Sequence, residues 1–170
     1  MPRRRGTLAA CAAALLLAAG CGIAADSVPE TSACRNLTYD KKGPARAAYL
    51  PCAREIIAAV EELEGHTEAA LNGDAKRRSQ GRATVNRVID LMKSAGGMKL
   101  LERWNDPLLT EINVDVHNAL SHYSAFYMLQ IKSEPHPFAA ETKEAARAEM
   151  LGGRRNYQSA RTNYRRAGGG

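Results

Sequence analysis

From residue 44 onward the chain repeats one pattern four times: apolar positions three or four residues apart, closed off by glycine or proline. That spacing puts the apolar side chains on one face of an α-helix. In the first stretch Cys52, Ile56, Val60 and Leu63 form the stripe, with Ile57 beside them. The predicted helix begins at Pro44 or Pro51 and runs to Leu71. Pro51 has no N–H and its ring crowds the preceding turn, so it marks a first turn or a kink. Asn72 and Gly73 supply the stop. A second helix is predicted over Ala75–Ser94 on Val85, Val88, Ile89 and Met92, stopped by Gly96 and Gly97, and a short helical piece follows over 98–104. Asp106 before Pro107 is a strong start signal, an N-cap with proline in the first helical position. The third helix should run to Ser133 on Leu109, Ile112, Val116, Leu120, Tyr123 and Tyr127, with Leu120 near its centre, and end before Pro135 and Pro137. The fourth, from near Phe138 to about Arg166, has a weaker stripe: Ala139, Ala146, Met150, Gly153, Tyr157, Ala160 and Tyr164. Gly152 and Gly153 are expected to interrupt it, and the tail 167–170 to be disordered. Four amphipathic helices with short joints predict an all-α antiparallel bundle over 44–166.

The first 43 residues lack this period. Residues 22–43 carry Pro29, Asn36, Asp40 and Gly43 among scattered Ser and Thr. They read as a flexible tether. Ahead of them, Arg3, Arg4 and Arg5 precede an apolar run from Leu8 to Ala19, the basic start and short apolar core of an export signal. The run is shorter than the ~20 residues of a spanning helix, but counted through Ala25 it leaves a retained membrane anchor open.

Ala18, Ala19, Gly20 and Cys21 close that segment. This stretch resembles the lipobox of bacterial lipoproteins: an aliphatic residue, two small residues and an obligatory cysteine. Ala18 departs from the preferred leucine; the other three positions match. The resemblance covers the first 22 residues only. It implies a signal peptide over 1–20, an acylated Cys21 as the new N-terminus, and a lipidated tether over 21–43 that fixes the protein to membrane lipid in the bacterial envelope. Gly22, rather than Asp, after the cysteine implies the outer membrane, facing the periplasm. Ordinary cleavage after Ala25, before Asp26, is the rival reading.

Cysteine count fits export without proving it. Either cleavage removes Cys11 and takes Cys21 out of the thiol pool, leaving Cys34 and Cys52 as an even pair in an oxidising compartment. A bridge between them is expected, and would pin the second half of the tether to the first helix.

Charge changes the picture at the C-terminal end. The chain carries +6 overall. Residues 1–20 take away three arginines and no acid, leaving +3, and residues 152–170 hold five arginines and no acid, so the body from 21 to 151 stands at −2. Within that end, Tyr157 and Tyr164 lie one heptad apart, with Arg154, Arg155, Arg161, Arg165 and Arg166 around them. Such a strip suits an anionic surface or an acidic partner protein of the envelope; nucleic acid is not expected of an exported protein. The other reading is two tyrosines completing the core stripe beside a solvated arginine face.

Candidate chemistry is sparse. His117 and His122 sit about 140° apart around the third helix, too far for one metal. His66 and His136 come from other elements, and Met92, Met98, Met128 and Met150 read as core residues rather than haem ligands. Asp115 and His122 share a side of the third helix with Glu111 and form the one conceivable general-base pair, but Ser121 and Ser124 lack a nucleophile motif. The expectation is a non-enzymatic interaction domain with no cofactor and no metal. A ligand- or cofactor-binding bundle, and an envelope enzyme using the Asp115/His122 flank, are the alternatives.

Overall fold

A computed structural model describes residues 28–39, 43–97, 104–133 and 140–170. The predicted signal peptide, Cys21, the piece over 98–103, His136 and the prolines after Ser133 lie outside the described residues. Among the described residues four helices make the fold: α1 Arg46–Leu71, α2 Ala75–Ser94, α3 Pro107–Ser133 and α4 Ala140–Arg166. A single 3-10 turn, Ala33–Asn36, precedes them. There is no β-strand among the described residues.

The helix ends follow local chemistry. Gly73, at φ 100°, lets the chain turn back after α1, so that Asp74 N–H donates to the Ala69 carbonyl and Gly73 N–H to that of Ala70. Asp74 then caps α2 by accepting from Arg77 N–H at 3.0 Å. One three-residue turn thus stops one helix and starts the next. Asp106 caps α3, its carboxylate accepting from Leu108 N–H at 3.1 Å. Pro51 falls in the second turn of α1 and the helix runs through it. The cost is the hydrogen bond that the Ala47 carbonyl would have accepted; Ala47 is exposed, so water can serve it.

Two ends organise the bundle. Arg46 at the start of α1 pairs with Asp106 at the start of α3, 2.7 Å away, so α1 and α3 run side by side in one direction. Asp115 on α3 meets Ser159 and Asn163 on α4, and Glu62 on α1 meets Arg87 on α2. Both hairpins are therefore antiparallel, and the bundle runs up, down, up, down. The near end holds the first turns of α1 and α3 and the last turns of α2 and α4.

The core is one cluster, with Tyr49, Ile56, Leu63, Val88, Leu109, Ile112, Tyr123 and Phe126 at its centre. Leu120 is only partly buried, while Ala119 and Phe126 are fully buried. The helical turn centres α3's inner face between α4 and α1 and leaves Leu120 at its margin.

Gly152 and Gly153 do not interrupt α4, which stays helical to Arg166. They are sockets. A Cβ on Gly152 would lie 2.7 Å from the His122 ring, and one on Gly153 would lie 2.6 Å from the Tyr123 ring. Gly81 does the same on α2, where the Tyr127 hydroxyl lies over its backbone. The tail, expected to be disordered, closes α4 instead. Gly168, at φ 92°, lets Gly169 N–H reach the Tyr164 carbonyl and Gly168 N–H that of Arg165.

The second half of the tether belongs to the folded body. Cys34 is bridged to Cys52. Ser32 Oγ donates to Glu55 at 2.6 Å, and Ala33 N–H donates to the same carboxylate at 2.8 Å. Val28 is 2 % exposed, with its carbonyl accepting from Arg35. Tyr39 donates to the Ala95 carbonyl after α2 and packs with Tyr49 around Trp104.

Candidate functional surface on α4

The arginines of α4 divide by exposure and by partner. Arg154 faces α1: its Nε is 2.7 Å from Glu64 Oε1, and Nη2 is 3.7 Å from Glu68. The hydrogen bond that it donates to Glu64 raises the guanidinium's pKa above its ordinary value. One heptad on, Arg161 reaches Glu61 at 3.6 Å and lies over the Tyr157 ring, 5.5 Å from its centroid. Tyr157 is buried in the core, and burial, helped by Glu61, pushes its hydroxyl up to about 12. Tyr164 is partly buried against the same cluster. Four of the seven residues of the predicted strip, Arg154, Arg161, Tyr157 and Tyr164, therefore face inward or flank the core. α1 carries the acids that meet them.

Arg155, Arg165 and Arg166 meet none of α1's acids. All three are exposed. Arg166 donates to Asn163 at 3.1 Å. Arg155 and Arg165 have no ion pair among the described residues. They fall on one line of exposed positions, Leu151, Arg155, Gln158, Thr162 and Arg165, at spacings of four, three, four and three. Leu151 is 43 % exposed, one of three large apolar side chains so placed among the described residues. No acid follows it in the chain. Arg147, one turn before Leu151, extends the line; Glu144 precedes it. Sequence reasoning missed Arg147 and Leu151. The signal was there in the four-residue steps back from Arg155, but it is visible only once Gly152 and Gly153 are known to be helical.

The Asp115/His122 flank is brought to α4 rather than to itself. Asp115 accepts from Ser159 Oγ at 2.7 Å and Asn163 Nδ2 at 3.1 Å. His122 Nδ1 lies 2.7 Å from Glu149. Both residues thus tie α3 to α4. His117 uses its Nδ1 on the Asn113 carbonyl, 3.1 Å away, and burial lowers its pKa. His66 sits between Arg77 and Glu62. Among the described residues, no group of three or more His, Cys, Asp or Glu could hold a metal ion, and no helix is long and apolar enough to cross a membrane. Burial raises the hydroxyl pKa of Tyr123 and Tyr127, which have no hydrogen-bond partner among the described residues.

No protein-family model, curated protein or solved structure matches this chain.

Proposed function

We propose that the protein is a non-enzymatic lipoprotein of the bacterial envelope, anchored through acylated Cys21, whose helical body engages an anionic surface or an acidic partner protein through the outer face of α4. The observation that carries this reading is the division of α4's arginines. Arg154 and Arg161 answer the acids of α1, so their clustering has an internal cause. Arg155 and Arg165 have no such cause among the described residues, and Leu151 stands exposed in line with them. A line of cations around an apolar residue, with no acid after it, favours anionic partners and weakens with salt.

The anchor rests on Ala19, Gly20 and Cys21. Intact mass of the mature protein tests it: the expected species begins at Cys21 and carries acyl chains. An unmodified N-terminus at Asp26 would refute the anchor and leave the surface to be judged by its own binding. The surface is tested by exchanging its arginines for glutamine, which should lower salt-sensitive binding to envelope membranes.

A further inference from the structure

We propose that His66 is a proton-operated latch on the turn between α1 and α2. While its ring is neutral it holds the Arg77 side chain; on taking up a proton it lets Arg77 go and keeps Glu62. Neither the anchor at Cys21 nor the arginines of α4 enter into it.

His66 stands near the end of α1 and is buried, 8 % exposed. Its Nδ1 lies 3.3 Å from Nη1 of Arg77, in the first turn of α2, and its Nε2 lies 3.8 Å from Oε1 of Glu62, one turn back on α1. A guanidinium is donor-only. Arg77 therefore bonds to Nδ1 only where that nitrogen offers its lone pair, which leaves the neutral ring's one proton on Nε2, facing Glu62. Arg77 thus selects one tautomer of a neutral imidazole.

The next proton can only go to Nδ1. There it sets donor against donor and cation against cation, 3.3 Å apart. Arg77 has a way out: it is exposed, and Gln80 Oε1 already lies 3.4 Å from the same Nη1. The ring has a counter-charge in Glu62. Glu62 lies 2.5 Å from Arg87 Nη2, and that bond holds its carboxyl below the ordinary range, so it stays ionised wherever imidazole titrates. Glu62 and Arg77 are the charged groups that meet the ring among the described residues; Glu64 and Glu68, on the same helix, are taken by Arg154 of α4. Proton uptake trades one partner for another, so the change shows locally and not as a loss of the core.

The turn that the latch secures carries charge of the wrong sign for its place. α2 opens with Lys76, Arg77 and Arg78 and has no acid in its first turn, at the end of a helix where cations are disfavoured. Asp74 caps it by accepting from Arg77 N–H at 3.0 Å, and the Arg77 side chain on His66 ties it to α1. Two turns on, Thr84 Oγ1 donates to Glu62 at 3.2 Å beside Arg87, which fixes the rest of α2 to α1. Loss of the His66 tie therefore loosens the chain from Asn72 to Arg78 and leaves α2 beyond Thr84 in place. His66 is the group poised to do this, because imidazole changes charge between about pH 8 and 5 while a guanidinium and an ionised carboxylate do not.

The test is nuclear magnetic resonance with amide hydrogen exchange on the folded protein at about pH 8 and about pH 5. At the higher pH the His66 ring should show Nε2 protonated and Nδ1 free, with the Arg77 guanidinium held in one position. At the lower pH both nitrogens should be protonated and the guanidinium should average as a free side chain does. The Arg77 amide should then lose roughly two- to tenfold in protection, the worth of one hydrogen bond, while Val88 and Leu91 keep theirs. His66→Gln, whose carbonyl accepts from Arg77 but takes no proton, should hold the amide's protection constant across the range. Arg77→Gln should give the low protection at both pH values. Glu62→Gln should push the release to lower pH by removing the counter-charge. The latch is overturned if Nδ1 carries the proton at the higher pH, if the wild-type Arg77 amide keeps its protection at the lower pH, or if His66→Gln loses protection as wild type does. Release that does not move in Glu62→Gln overturns the role given to Glu62.

Discussion

Arg154 Nε lies 2.7 Å from Glu64 Oε1 and joins the last helix to the first across 90 residues of sequence. With Arg161 on Glu61, it makes α1 the acidic rib against which a basic helix is laid. Arg154→Gln should lower stability by about 1 kcal/mol, because both partners keep some solvent. Arg155→Gln, one residue away and fully outward, should stay within about 0.5 kcal/mol of wild type. A double-mutant cycle of Arg154→Gln with Glu64→Gln, read by urea unfolding, checks that the coupling is this pair.

Glycine-to-alanine substitutions in the helices should change sign with position. Alanine is the better helix former by about 1 kcal/mol. At Gly65, where an added Cβ meets nothing within 4 Å, Gly65→Ala should raise the melting temperature. Gly153→Ala drives a methyl into the Tyr123 ring and should cost about 1–3 kcal/mol through overpacking. Thermal unfolding of the two variants decides it; a stabilised Gly153→Ala would mean that the socket is not tightly filled.

The fold was largely legible because periodicity, caps and prolines agreed. Ala75–Ser94 and Pro107–Ser133 match their predicted bounds, and the Asp106–Pro107 start and the Asn72–Gly73 stop formed as local chemistry requires. Gly152–Gly153 misled because a glycine pair reads as a helix break in isolation. Its role as a double socket depends on His122 and Tyr123, some thirty residues earlier, and no local rule contains that contact. The surface was half legible for the same reason. Charge segregation was plain, but which arginines face outward depends on the position of α1's acids.

Breaking the bridge should matter more than any single surface change. Cys34 and Cys52 close a loop with a sequence separation of 18 and hold residues 28–39 on the bundle. Cys34→Ser with Cys52→Ser should lose about 3 kcal/mol on the chain-entropy account. Limited proteolysis should then cut within 28–39 while the four helices survive; resistance of that segment would show that Val28 and Ser32 suffice to hold it.

His117 should give stability a pH dependence of fixed sign. Burial holds its folded pKa below the ordinary 6.5, so between the two values the unfolded chain binds the extra proton. Its contribution is fully present above about 6.5 and is lost as pH falls through the folded value. His117→Gln should flatten the pH profile of unfolding free energy below about 6.5 and leave it unchanged above. A wild-type profile with no fall in that range would contradict the burial account.

The claim that α4's paired arginines are structural and its exposed ones bind is tested most directly by comparing two sets of substitutions in one assay. Arg155, Arg165 and Arg166 are changed to glutamine in one protein, and Arg154 and Arg161 in another. Melting temperature and binding to phosphatidylglycerol vesicles are measured for both at two salt concentrations. The outward set should lose most of its salt-sensitive binding with little change in melting, and the inward set should melt several degrees lower while its folded fraction binds as wild type does. If the outward set binds normally, or if the inward set is the one that loses binding at full stability, the assignment of the two sets is wrong.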